Sequence, residues 1–106
     1  MRKYEMAIVL DPDLKEDERK KLVEEIKGEI EKAKGKIEKV DEWGKKELAY
    51  SIRKAGKKSK EGIYFLFNLE LPQEGPAEIG KKLRLKEKVL RYLLVREDKR
   101  SLLLRN

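Results

Sequence analysis

The sequence predicts an α+β fold, a four-stranded antiparallel sheet with two helices packed on one of its faces. Two observations carry this prediction. Apolar residues alternate with period two in four segments and recur at helical spacing in two others. The six segments follow one another as strand, helix, strand, strand, helix, strand. The chain has no cysteine, so apolar burial and not a disulfide frame must hold the fold together.

The first segment is a strand over 4–10. Tyr4, Met6, Ile8 and Leu10 share one side, with Ala7 and Val9 on the other, and Asp11-Pro12-Asp13 supplies turn chemistry after it. A helix follows over 15–34, where Leu22, Val23, Ile26, Ile30 and Ala33 form one apolar stripe. Gly35 is the expected C-terminal stop. Residues 36–54 read as a long, irregular strand. Ile37 and Val40 stand three apart, which breaks the period of two and implies a bulge. Gly44 is a second expected break, after which Leu48, Tyr50 and Ile52 restore the alternation. The basic segment 55–61 has loop character. Ile63, Phe65, Phe67, Leu69 and Leu71 give the clearest strand, over 62–71. Pro72 and Pro76 bracket a turn, and a second helix over 77–86 turns Ile79 and Leu83 inward. The last strand covers 89–96. This order is the ferredoxin-like βαββαβ pattern, with the first and third strands in the middle of the sheet. At 106 residues the chain suits one domain, expected over 1–96, with a tail over 97–106.

With both helices on one face, the other face of the sheet should be polar, and it is not. The alternation places Ala7, Val9, Tyr64, Leu66, Leu93 and Val95 there. An apolar patch of that kind marks a binding site, for a protein partner first. The alternatives are self-coverage by the tail, through Leu102, Leu103 and Leu104, and stacked RNA bases.

The net charge is +7 and unevenly placed. Residues 53–61 carry five bases and one acid, and residues 81–100 carry nine bases and three acids. Such local fields attract polyanions, nucleic acid before acidic membrane. Enzyme chemistry finds little to use. No histidine or cysteine is available as base, nucleophile or soft metal ligand. Phosphate-loop and calcium-loop spacings are absent. Seven of the 21 carboxylates lie on the first helix, several of them at salt-bridging spacing, where solubility is their expected role. No enzyme activity, metal or cofactor is therefore expected. No apolar run approaches a membrane span and the N-terminus lacks a secretion signal, so the expected location is the cytoplasm. The excess of Lys and Glu, with scarce Asn and Gln, resembles a thermophile's composition.

Several stretches, in order along nearly the whole chain, carry a resemblance. They are Met1-Arg2-Lys3-Tyr4-Glu5 with its strand ending in Asp-Pro, and Trp43-Gly44-Lys45-Lys46 before Leu48-Ala49-Tyr50-Ser51-Ile52. Gly62-Ile63-Tyr64-Phe65, and Leu83-Arg84-Leu85 leading into Val89-Leu90-Arg91-Tyr92-Leu93-Leu94-Val95, complete the set. Together they resemble the family of protein six of the bacterial small ribosomal subunit. The resemblance implies a ferredoxin-like structural protein. It would bind the central domain of small-subunit ribosomal RNA together with protein eighteen of that subunit. It implies Arg2, Lys3, Arg91 and Arg96 as RNA contacts, forming one basic edge, with the loop lysines Lys54, Lys57 and Lys58 as further candidates. The partner would sit on Ala7, Val9, Tyr64, Leu66, Leu93, Val95 and the tail leucines Leu102, Leu103 and Leu104. The rival readings are a free-standing RNA-recognition module that binds single-stranded RNA, and a ferredoxin-like ligand-sensing dimer.

Overall fold

A computed structural model of the chain describes residues 1–54 and 56–97. Its elements are β1 (Arg2–Leu10), α1 (Glu16–Lys32), β2 (Lys36–Lys54), β3 (Lys57–Leu71), α2 (Gly75–Arg84) and β4 (Val89–Arg96). The sheet order is β2-β3-β1-β4, with every neighbouring pair antiparallel. The expected class, order of elements and central strands are therefore those observed.

The core lies between the helices and one face of the sheet. Met6, Ile8 and Leu10 of β1 pack with Ile63, Phe65, Phe67, Leu69 and Leu71 of β3. Leu22, Val23, Ile26 and Ile30 of α1 close over them, as do Ile79 and Leu83 of α2. Each fully buried side chain of this size contributes about 1.5–3 kcal/mol relative to exposure. The alternation in β1 and β3 is thus the pleat of strands with one face in the core.

Helix α1 starts with three acids, Glu16, Asp17 and Glu18, against the positive end of its dipole. The Lys15 amide donates to Glu18 Oε1 at 3.0 Å, which satisfies one backbone donor at the helix entrance. The C-terminus differs from expectation. The left-handed residue is Lys34, with φ of 65°, and not Gly35. The Lys34 amide donates to Glu31 O at 2.9 Å and the Gly35 amide to Ile30 O at 2.8 Å, a Schellman closure. Gly35 is needed for a different reason: a Cβ there would stand 2.7 Å from Leu71 Cδ2 and 2.8 Å from Ile30 Cγ2. Lysine pays a Cβ penalty in this backbone region that glycine does not. Lys34→Gly is therefore expected to stabilise the chain by about 0.5–1 kcal/mol, read as a higher urea midpoint with an unchanged m-value.

Strand β2 is as irregular as its sequence. Its pairing with β3 shifts register between Ile37 and Lys39, between Glu42 and Gly44, and again between Glu47 and Ile52. The first two shifts are the bulges expected near Ile37 and Gly44. The third corrects the expected alternation of Leu48, Tyr50 and Ile52. Four residues of β2 lie outside the ladder there, so Ile52 is buried while Tyr50 is 77% exposed. The loop expected over 55–61 is also corrected. Lys54 pairs with Lys57, so the hairpin turns within two residues and β3 begins at Lys57. Pairing propensity was hidden by the run of lysines, which mark an edge or tip and do not forbid a strand.

Candidate functional site

The face of the sheet away from the helices can be read row by row from the strand register. Leu66, Ala7 and Leu93 form the central row across β3, β1 and β4. Tyr64, Val9 and Arg91 form the row on one side of it, and Asn68, Glu5 and Val95 the row on the other. Leu93 is 62% exposed, and Ala7, Tyr64, Leu66 and Val95 are half-buried. Five of the six expected sheet residues therefore meet solvent on one apolar strip.

The sixth does not. Val9 is only 8% exposed, packed in a small second cluster with Ile52 and Leu90, with Leu48 and Tyr64 against it. The far end of β2 curls over the sheet and roofs it. The Lys54 ammonium donates to Val89 O of β4 at 2.5 Å and holds the arm in place. This curl was not legible, because it depends on the third register shift. Close approach is secured at Gly62, where a Cβ would stand 2.2 Å from Val9 Cγ1.

The expected basic edge also takes another form. In the antiparallel pairing of β1 with β4, Arg96 lies opposite Tyr4 and Arg91 lies opposite Val9. Lys3 and Arg91 both belong to the open face, but six residues of β1 separate their rows, about 20 Å at the usual strand rise. Arg2 and Arg96 share the side of Tyr4, which is the helix side. The four residues thus split into a group of three at one end of the sheet and Arg91 at the other.

Of the three loop lysines, two are engaged within the molecule. Lys57 Nζ donates to Asp11 Oδ1 at 2.8 Å and Oδ2 at 3.1 Å, and also to Asp13 Oδ2. These hydrogen bonds, Asp11 first, raise the lysine pKa above its ordinary value. Burial pushes the Lys54 pKa down. Only Lys58 is exposed and without an ion pair to any described residue. The tail leucines Leu102, Leu103 and Leu104 lie outside the described residues.

Asp11 is 3% exposed and joins the start of β3 to the loop before β4. Its amide donates to Lys88 O at 2.9 Å, and Lys88 Nζ stands 3.6 Å from its carboxylate. Burial opposes ionisation of Asp11. The hydrogen bonds from Lys57 and the Asp13 amide, with the charges of Lys57 and Lys88, outweigh it and hold the carboxyl below its usual range. A carboxyl that titrates lower when folded adds stability above its unfolded pKa of about 3.9, and loses it as pH falls through the folded value. Asp11→Asn is expected to lower the urea midpoint at pH 6, and the gap to the parent chain should narrow progressively as the pH falls below the usual carboxylate range.

Among the described residues no group of acidic side chains converges to hold a metal ion, and no helix is long and apolar enough to cross a membrane. The comparisons agree with the fold. The family model described as ribosomal protein S6 matches residues 3–96. Small ribosomal subunit protein bS6 of Caldanaerobacter subterraneus is 44% identical over 98 residues, 92% of this chain and 99% of that protein. The bS6 protein of Carboxydothermus hydrogenoformans is 36% identical over 99 residues, 93% of this chain and 99% of its own length. The crystal structure of 30S ribosomal protein S6 from Thermotoga maritima superposes with a TM-score of 0.83 at 31% identity, covering 98% of this chain and 94% of that one. The chain belongs to the ribosomal protein S6 family, a family of structural proteins of the small ribosomal subunit and not of enzymes.

Proposed function

We propose that the chain binds the central domain of small-subunit ribosomal RNA jointly with protein eighteen of that subunit. Family membership puts its place of work on the cytoplasmic ribosome. The observation that carries the finer reading is the apolar strip of Ala7, Leu66, Leu93, Val95 and Tyr64, left uncovered by described residues and flanked by bases at both ends. The strip is the partner's seat. Arg2, Lys3 and Arg96 at one end, and Arg91 and Lys58 at the other, meet phosphate. Phosphate contacts fix position, and specificity comes from RNA shape and from the partner.

Phe65 and Phe67 are buried in the core, so they are not available as the stacking platform of an RNA-recognition module. This favours the shared assembly over a free-standing single-strand binder. Filter binding with the partner present tests it. With about four phosphates neutralised, log affinity should fall against log salt with a slope of roughly −3 to −4. A flat response, or equal affinity without the partner, would overturn the proposal.

A further inference from the structure

Three rungs near the end of the β2–β3 arm pair like charges. Glu47 stands opposite Glu61, Arg53 opposite Lys58, and Lys54 opposite Lys57. Like charges directly opposite destabilise a strand pair. The Lys54–Lys57 rung is relieved by Val89 O and by Asp11 and Asp13. The Arg53–Lys58 rung is not. Both side chains are exposed, and neither makes an ion pair with any described residue. An anion held between them would turn a repulsive rung into an attractive one.

Tyr50 stands three residues before Arg53, within about 10 Å along the strand. It belongs to the four residues of β2 that lie outside the ladder, and it is 77% exposed. A hollow lies beside it, lined in part by Leu48, Ser51, Lys60 and the Glu47–Glu61 rung. The two carboxylates repel phosphate and accept hydrogen bonds, which suits the amino edge of a base. A flat exposed ring, an acceptor pair and a separate cation pair lie together on one arm. That is the complement of a single unpaired nucleotide with its phosphate.

We propose that the arm holds one unpaired RNA nucleotide, with its base stacked on Tyr50 and its phosphate between Arg53 and Lys58. This rests on the RNA-binding reading above and adds a subsite to it. None of the three residues is in the core, so their substitution should leave folding unchanged.

The test compares the full chain with Tyr50→Ala, Tyr50→Phe and the double variant Arg53→Gln/Lys58→Gln, each binding the RNA fragment with the partner present. Removing one stacked base should weaken binding about 5- to 150-fold in Tyr50→Ala with no change in salt slope, and Tyr50→Phe should restore affinity. The double variant should reduce the magnitude of the slope by about 0.7, one phosphate on a single strand. Affinity of Tyr50→Ala within twofold of the parent overturns the nucleotide, even if the double variant is weaker. So does an unchanged slope in the double variant, or a loss of partner binding by Tyr50→Ala in the absence of RNA. If the parent chain itself binds no RNA, the broader reading fails, and this subsite with it.

Discussion

Replacing Leu93 by glutamate is expected to leave the free chain folded and to weaken partner binding by at least about 30-fold, the loss at an interface hot spot. Leu93 is the most exposed residue of the central row, beside Ala7 and two strands away from Leu66. A charge placed there would be buried without a counter-ion once the partner sits down. In the free chain the same charge stays in water, so its urea stability should remain within about 1 kcal/mol of the parent. Calorimetric titration with the partner, beside urea unfolding of the free chain, checks both halves. Undiminished binding would remove the sheet face from the assembly.

The second large effect concerns folding. Gly62→Ala places a methyl group 2.2 Å from Val9 Cγ1, with Leu48 Cδ2 3.6 Å away and Leu10 O 3.5 Å away. Overpacking of this kind costs about 1–3 kcal/mol. Because the clash is with one short side chain, Val9→Ala should relieve it. The double variant is expected to be more stable than the sum of the two single losses by about 1 kcal/mol. Simple additivity would show that Val9 and Gly62 do not share that space.

Both effects are rooted in residues that the sequence made conspicuous to different degrees. The core was legible because β1 and β3 keep strict alternation, and Met6, Ile8, Phe65 and Phe67 had to share a face. The open face was legible by subtraction, since Ala7, Leu66 and Leu93 fall between the core positions. The roof over Val9 was not. It requires β2 to skip register between Glu47 and Ile52, whereas alternation read from the sequence alone puts Tyr50 on one face with Leu48 and Ile52. Gly62 carried a general signal, since a glycine within a strand marks a bulge or a close approach, but nothing in the sequence named Val9 as the neighbour. The grouping of bases failed for a reason of direction. Arg91 and Arg96 belong to one strand, and antiparallel pairing sends them to opposite ends of β1. Lys54 and Lys57 looked like free charge, yet their partners Val89 O and Asp11 lie 35 and 46 positions away.

The curled end of β2 also limits how tightly two proteins can join here. With Val9 under Ile52, five apolar side chains remain on the strip, against the roughly 20–30 residues a side of a stable complex. On the proposed reading the two proteins form only a weak pair by themselves, and the nucleic acid supplies the remaining attraction by tethering both. Each component must then tighten the others by the same factor, so assembly behaves as a thermodynamic unit in which omission of any one member loosens the rest.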